Sequence, residues 1–183
     1  MIEIFLTGCV KILIVIDAQN DTFDRRGTNF AEWAKVIEDG LAKRIDLAIE
    51  NNESILYTKN LYPDFEYKER SAESIKFDEA IYPGFYTRLE KHGDEYTKTF
   101  YGIPPTEAKN IYENYKDEVE TNQMIEFIGV ETNVCVLANI MVIQNIFPEA
   151  NITINKNLVA AASDDLHDKT LEILSNMNVF IAE

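Results

Sequence analysis

The sequence predicts an α/β protein, a three-layer α-β-α sandwich built on a doubly wound, mostly parallel sheet of six strands. Short apolar runs of strand length alternate along the chain with longer segments whose apolar residues recur at helical spacing. Several of the runs are apolar at nearly every position, which is typical of parallel strands covered on both faces. Strands that alternate with helices are joined by crossovers, so we expect helices on both sides of the sheet.

The first strand is predicted at Lys11 to Asp17, a nearly continuous apolar run that ends in an acid. The polar segment Ala18 to Asn29 is interpreted as a loop. Phe30 to Asn51 is predicted as one long helix, and Ser54 to Lys59 as the second strand. The helix prediction depends on an apolar stripe made of Ala34, Ile37, Leu41, Ile45 and Ala48.

The middle of the chain has weaker patterns. Asn60 to Tyr82 is mixed and charged, with prolines near its ends, and we interpret it as irregular structure over the site. Phe85 to Leu89 is predicted as a helical turn and Glu95 to Lys98 as a short strand. The pair Pro104-Pro105 opens a helix through about Val119, because proline suits the first helical turn.

The last third of the chain returns to a clear alternation. Phe147 to Glu149 contains a proline that ends the preceding helix. A strand is predicted at Ala150 to Asn155, a helix at Leu166 to Asn176, and a final strand at Val179 to Ile181. The whole chain, residues 1–183, is therefore interpreted as a single domain, with residues 1–10 as an extra N-terminal segment.

The most informative stretch surrounds Cys135. Met124 to Gly129 is a bounded apolar run that predicts a strand, and apolar residues at helical spacing follow it. Thr132 is a predicted N-cap, which places Cys135 in the first turn of a helix, just past a strand end. A helix N-terminus lowers the pKa of a thiol and holds oxyanions. A buried, inert cysteine is the alternative interpretation of this stretch.

Composition limits the possible partners. The chain has 183 residues, 46% hydrophobic and 27% charged, and a formal net charge of −15. Such an acidic protein is not expected to bind nucleic acid or an anionic membrane, but the net charge does not define a substrate. Two cysteines, Cys9 and Cys135, are too few for a disulfide framework and favour the reducing cytoplasm. No apolar run reaches the roughly 18 residues of a membrane span.

Three polar residues stand at or just beyond predicted strand ends: Asp17, Lys98 and Cys135. In a doubly wound sheet these ends share one crevice. A thiolate attacks an electrophilic carbon, a carboxylate accepts the thiol proton and passes it to a leaving amine, and an ammonium stabilises anions. Together they predict acyl transfer through a thioester, with amide hydrolysis as the obvious use. Taken singly, Asp17 fits a cap or surface acid, and Lys98 a solvated lysine.

Two motifs resemble those of the isochorismatase-like cysteine hydrolases, the family that includes nicotinamidases and N-carbamoylsarcosine amidohydrolase. Ile16 to Phe23, IDAQNDTF, is similar to the family's opening Asp-x-Gln-Asn-Asp-Phe, with one extra residue before the phenylalanine. Gly129 to Val136, GVETNVCV, is similar to its Gly-Val-x-Thr-x-x-Cys-Val. Lys98 stands about midway between them, at the position of the family's catalytic lysine. The resemblance runs from about Lys11 to the C-terminus.

The resemblance implies a role for each of these residues. Cys135 would be the nucleophile, Asp17 the general base and acid, and Lys98 their electrostatic partner. It also implies a cis peptide bond between Val130 and Glu131, and an oxyanion hole formed by the backbone N–H groups of Glu131 and Cys135. A glutamate at this position is unusual beside the small residue often found there, and its side chain either points outward or narrows the pocket. By the same resemblance, we expect a homo-oligomer.

The resemblance also bears on metals and on the pocket. Metal-dependent nicotinamidases carry Asp-x-His-Pro after the second strand, whereas this chain has Asn60 in place of the Asp and Tyr62 in place of the His. A zinc or iron site needs about three nitrogen, oxygen or sulfur ligands, so we expect no catalytic metal and no cofactor. Tyr62 is free to offer a hydroxyl to a substrate, and Phe23, Phe100 and Tyr101 are candidate pocket walls.

The leading hypothesis is a metal-independent cysteine hydrolase of a small amide, ureido or carbamoyl compound. Two alternatives lie within the enzymes: a nicotinamidase, which the altered metal positions disfavour, and an isochorismatase that cleaves a vinyl ether without a nucleophilic cysteine. A third alternative is a catalytically silent binding or scaffold protein. The intact set of Asp17, Lys98 and Cys135 argues against that third possibility.

Overall fold

The computed structural model describes residues 12–63, 65 and 70–183. Its six strands pair in the order β3-β2-β1-β4-β5-β6, and every neighbouring pair is parallel. The predicted doubly wound sheet is therefore confirmed, and it is parallel throughout. The strands are β1 (Ile12–Ile16), β2 (Ser54–Asn60), β3 (Gly93–Lys98), β4 (Met124–Val130), β5 (Asn151–Ala160) and β6 (Phe180–Ala182).

Helices occupy both faces of this sheet. They are α1 (Asn20–Phe23), α2 (Glu32–Lys35), α3 (Glu38–Glu50), α4 (Ala72–Glu79), α5 (Pro83–His92), α6 (Pro105–Asn122), α7 (Leu137–Ile146) and α8 (Asp164–Asn176). None of the helices in the described ranges combines the length and hydropathy that a membrane crossing requires. The predicted N-terminal segment, residues 1–10 with Cys9, lies outside the described residues.

The core forms one layer on each face of the sheet. All five residues of β1 are buried, and their side chains alternate between the two layers. Ile12, Ile14 and Ile16 join a cluster with residues of α6, α7 and α8, while Leu13 and Val15 join a cluster with residues of α3 and α5. This burial on both sides explains why the strand is apolar at every position.

The direction of chain winding reverses between β1 and β4. From β1 the sheet extends through β2 and β3 on one side, and through β4, β5 and β6 on the other. Ligands of open α/β sheets bind in the crevice outside the strand ends at such a switch point. Gly129 lies there with a φ of +115°, and a Cβ on it would stand 2.2 Å from the carbonyl oxygen of Ile16. Only glycine permits this close approach of β4 to β1.

Several elements differ from the sequence-based predictions. The long helix expected over Phe30 to Asn51 is two helices, α2 and α3, because the chain makes a tighter turn in which the Ile37 N–H bonds the Ala34 carbonyl at 3.2 Å. The predicted apolar stripe of α3 is nevertheless buried. The stretch Asn60 to Tyr82, expected to be irregular, contains α4, whose N-terminus is capped by the Ser71 hydroxyl.

The helix after β4 also starts differently from the prediction. A short π-helical turn, Thr132–Val136, precedes α7, and its N-cap is Glu131. The prediction of Thr132 as a side-chain cap is wrong, because its hydroxyl instead lies 3.0 Å from Nδ1 of His167 on α8. Cys135 therefore sits in a π turn, a feature that recurs at functional sites.

Candidate active site

The three polar residues predicted to meet do lie together at the carboxyl edge of the sheet. Asp17 directly follows β1, Lys98 ends β3, and Cys135 lies in the turn after β4. The Nζ atom of Lys98 is 2.8 Å from Oδ2 of Asp17 and 3.5 Å from Sγ of Cys135. An acid, an ammonium and a sulfur are thus brought into direct contact from three distant parts of the chain.

Lys98 is the buried centre of this group, with 1% of its surface exposed. Besides Asp17 and Cys135, its Nζ lies 3.2 Å from Oδ1 of Asn60 and 3.0 Å from the carbonyl oxygen of Phe100. An ammonium has three hydrogens for these four acceptors, so its hydrogen bond to the Cys135 sulfur, at 3.5 Å, is the longest of the four. Lys98 therefore acts on the sulfur mainly through its charge.

Asp17 is held in an uncommon conformation by the neighbouring strand. Its φ is +51°, which few residues other than glycine adopt. The Thr58 hydroxyl on β2 accepts from the Asp17 N–H at 3.1 Å and donates to Asp17 Oδ1 at 2.7 Å. These two bonds fix the carboxylate with Oδ2 turned to Lys98. Thr58 was not singled out from the sequence, although it is a polar residue within an apolar strand.

The thiol of Cys135 is neutral in the resting site. Burial, followed by the charge of Asp17, raises the pKa of the Cys135 thiol to about 12, and the charge of Lys98 opposes this only in part. The sequence-based expectation of a lowered pKa is wrong, because it considered the helix start and neither the burial nor the carboxylate. A hydrogen bond to Asp17 also contributes to the raised pKa of this thiol.

The turn between β4 and Cys135 is fixed from two sides. The peptide bond between Val130 and Glu131 is cis, at the position named in the sequence analysis. The Glu131 carbonyl accepts from the N–H groups of Val134 and Val136, each at 3.1 Å. Its side chain neither points freely outward nor closes the pocket, since Oε1 accepts from the Ala162 N–H at 3.0 Å.

A buried asparagine on the following helix, α7, supports the same turn. Asn139 on α7 is fully buried and donates to the carbonyl oxygens of Cys135 at 2.7 Å and Tyr101 at 3.0 Å. Its Oδ1 accepts from the Ile103 N–H at 2.8 Å. Asn139 therefore joins the cysteine turn to the segment after β3. It was missed at the sequence level, where one amide within an apolar helix carries little signal.

A cavity of about 290 Å³ opens beside Cys135. Three of the predicted wall residues, Tyr62, Phe100 and Tyr101, line it. The prediction for Phe23 is corrected, because its ring is fully buried in the core at 5.2 Å from that of Phe85. The other lining residues are Asp17, Gln19, Asp21, Thr22, Asn29, Trp33, Asn60, Pro63, Thr99, Val130, Glu131, Val134 and Cys135.

Asn60 and Tyr62, the two residues that replace metal ligands of the nicotinamidase motif, form polar contacts with other side chains. Asn60 Oδ1 accepts from Lys98, and the Tyr62 hydroxyl accepts from Asn29 Nδ2 at 3.3 Å. Burial, together with a hydrogen bond to Asp21, raises the pKa of Tyr62 above its usual range, so the phenol stays protonated. A protonated phenol and an amide do not fit a zinc or iron site. Among the described residues, no group of three His, Cys, Asp or Glu side chains is placed to hold a metal ion.

The chain belongs to the isochorismatase family. The model of the isochorismatase domain matches residues 11–183, nearly the whole sequence, and includes both motifs and all three polar residues. The protein is thus an isochorismatase-like hydrolase. No curated protein matches the chain.

Solved structures share this fold at low sequence identity. A nicotinamidase of Bacillus subtilis is 22% identical, with 96% of this chain and 100% of that chain covered and a TM-score of 0.76. A pyrazinamidase/nicotinamidase of Streptococcus mutans is 24% identical over 93% of this chain and 98% of that chain, also with a TM-score of 0.76. An isochorismatase-like hydrolase of Alkaliphilus metalliredigens is 16% identical, covers 95% of each chain and has a TM-score of 0.77.

Proposed function

We propose that this protein is a metal-independent cysteine hydrolase that cleaves a C–N bond of a small amide, ureido or carbamoyl compound through a thioester. The observation that carries the proposal is the contact of Lys98 with both Asp17, at 2.8 Å, and Cys135, at 3.5 Å. These groups lie at the cavity beside the switch point of the sheet.

In the first half of the reaction the Cys135 sulfur attacks the substrate carbonyl carbon. Because the thiol is neutral at rest, its proton passes to Asp17 as the S–C bond forms. Asp17 then gives this proton to the leaving nitrogen, the C–N bond breaks, and ammonia or an amine departs. Lys98 offsets the negative charge that moves between sulfur and carboxylate, and a thioester remains on Cys135.

In the second half a water molecule attacks the thioester carbon. Asp17, again ionised, accepts a proton from this water and returns one to the Cys135 sulfur as the C–S bond breaks. The product is the carboxylic acid, or the carbamic acid when the substrate is a ureido or carbamoyl compound. In both halves the oxyanion would be held by the backbone N–H groups of Glu131 and Cys135.

The altered metal positions support hydrolysis without a metal. Asn60 already serves Lys98, and Tyr62 is a protonated phenol tied to Asn29. A nicotinamidase that needs its metal to hold the pyridine ring would lack the Asp and His ligands that Asn60 and Tyr62 replace here. An isochorismatase would not need the cysteine, and a scaffold protein would not need three polar groups in contact within a cavity.

The remaining expectations belong to the same proposal. The protein would act as a single domain in the cytoplasm, on a small molecule, and without binding nucleic acid or membranes. Its net charge of −15 supports the last point, because both of those partners attract basic surfaces. Assembly into a homo-oligomer is proposed from the family resemblance alone.

An ammonia-release screen of small amides, ureas and carbamoyl compounds tests the proposal, and a parallel pyruvate-release assay with isochorismate serves as the vinyl-ether control. Each substrate is assayed with and without a strong chelator, and heat-denatured protein serves as the blank. We expect release of ammonia from at least one C–N substrate, at a rate that the chelator leaves unchanged. Loss of activity on chelation that added zinc or iron restores would contradict the proposal, as would turnover of isochorismate alone.

A further inference from the structure

The charged side chains that line the cavity, among the described residues, are all acidic. Among the described residues that line it are three carboxylates, Asp17, Asp21 and Glu131, and none of the lining residues is Lys, Arg or His. Asp17 is paired in a salt bridge with Lys98, which is buried and is not among the residues that line the cavity. The other two carboxylates therefore determine the charge that a bound molecule meets.

Both of these carboxylates are held by uncharged donors. Oxygen atoms of Asp21 accept from the Asn29 N–H at 3.1 Å and from Asn29 Nδ2 at 2.9 Å. Glu131 Oε1 accepts from the Ala162 N–H at 3.0 Å. These bonds fix the side chains in place, and within the described ranges neither carboxylate forms a salt bridge. In a partly enclosed site such charges interact more strongly with a ligand than they would in water.

Arg70, a cation that interacts electrostatically with Asp21, is already engaged by other groups. Arg70 acts on Asp21, but its guanidinium forms an ion pair with the buried Asp78 and lies over the Tyr62 ring, 4.2 Å from the centroid. It is not among the residues that line the cavity. Arg70 therefore supports the Tyr62 wall and is not free to bind an anionic substrate.

Aromatic rings complete the wall of the cavity. Trp33, Tyr62, Phe100 and Tyr101 all line it, and the rings of Phe100 and Tyr101 pack edge to face with centroids 4.6 Å apart. Aromatic faces attract cations, and tryptophan does so most strongly. Rings and carboxylates together resemble the chemistry by which proteins recognise ammonium groups, and they disfavour a carboxylate or phosphate.

We propose that the substrate of this site is a small amide that carries a positive charge, selected by the carboxylates of Asp21 and Glu131 and by the aromatic wall. This inference rests on the proposed function, since the amide must reach Cys135. If the substrate is a cation, anionic compounds such as N-carbamoyl amino acids are excluded as substrates. The strongly negative protein as a whole would further attract such a cation.

The test compares three amides of matched size: glycinamide, which is a cation, propionamide, which is neutral, and malonamate, which is an anion. Their binding to a Cys135→Ala protein is measured by calorimetry, so that no chemistry occurs. We expect the cation to bind at least about tenfold more tightly than the anion, with the neutral amide between them. Glu131→Gln and Asp21→Asn are each expected to lower the ratio of the affinity for the cation to the affinity for the anion. Glu149→Gln, which removes the same charge at an exposed position away from the cavity, should not.

Equal affinities, a reversed order or no binding of the cation would overturn the inference. So would a charge preference that Glu149→Gln lowers as much as Glu131→Gln does. Failure of the proposed function has a different signature, because it is read from ammonia release by the wild-type protein. A protein that binds the cation selectively but hydrolyses no C–N compound would retain the inference about charge and lose the catalytic proposal.

Discussion

At the scale of single residues, the resting state of Cys135 is the feature that separates this site from a simple helix-terminus thiolate. Its neighbours include a cation and an anion, and the anion together with burial determines the outcome: the pKa is about 12. In the proposed mechanism the sulfur stays protonated until a substrate brings a carbonyl carbon to it and Asp17 takes its proton. Such a site is protected from adventitious oxidation and alkylation.

The reactivity of this thiol with iodoacetamide gives a pH-dependent prediction. Because the folded pKa is about 12 and only the thiolate reacts, the alkylation rate of Cys135 should keep rising about tenfold per pH unit from roughly pH 7 to pH 10. In the urea-unfolded chain the same rate should level off near a pKa of about 8.5. Peptide mass mapping separates Cys135 from Cys9. A folded-state rate that levels off below about pH 8 would show that the thiol is ionised at rest.

At the scale of secondary-structure elements, α7 matters beyond its apolar packing. Asn139 on this helix binds the Cys135 carbonyl, the Tyr101 carbonyl and the Ile103 N–H, so it connects the nucleophile turn to one wall of the cavity. A misplacement of either part would change both the reacting geometry and the pocket. Under the proposed mechanism, this helix would position the catalytic cysteine and one wall of the pocket.

Replacement of Asn139 should lower both the stability of the protein and its turnover rate. Asn139→Ala leaves buried backbone groups unpaired and is expected to lower the free energy of unfolding by about 2–3 kcal/mol. The value of kcat should fall with it, because the cysteine turn loses its support. Asn145→Ala removes an exposed asparagine from the same helix and serves as the control. If both variants unfold at the same urea concentration, Asn139 has no such role.

The strands and the polar triad were predictable from sequence, while much of their support was not. Continuous apolar runs marked the central buried strands, and the end of the first run located Asp17, whereas Lys98 was located by a short, weakly apolar strand and by the family resemblance. Thr58, Asn139 and Trp33 were missed in the sequence analysis, because their importance depends on contacts with residues far along the chain. The helix α4 escaped because only one of its faces touches the core, which leaves its apolar periodicity weak.

At the scale of the whole molecule, a buried ionic cluster joins α3 to the amino-terminal ends of β2 and β4. Arg44 Nη2 lies 2.6 Å from Glu53 Oε2 and 2.7 Å from Glu126 Oε2, and all three side chains are largely buried. The site occupies the opposite, carboxyl edge of the sheet. The buried ion pairs that stabilise the fold thus lie at the amino-terminal edge of the sheet, and the polar groups that contact the cavity lie at its carboxyl edge.

This division predicts that stability and activity can be changed separately. Arg44→Met leaves two buried carboxylates without their cation and should lower the free energy of unfolding by about 3–5 kcal/mol. The value of kcat at a temperature where the variant is folded should stay at the wild-type level. Arg88→Met, which breaks the half-exposed pair with Asp46, is the control and should cost at most about 1 kcal/mol. Equal losses in the two variants under urea denaturation would contradict the prediction.

The central claim is that Cys135 forms the covalent bond to the substrate, and turnover by a Cys135→Ala variant tests it most directly. The rate of ammonia release is compared with that of the wild-type protein on the best substrate of the screen, after thermal unfolding has shown that both are folded. The account predicts a fall in kcat of at least about a thousandfold. Turnover by the folded variant at the wild-type rate would contradict it.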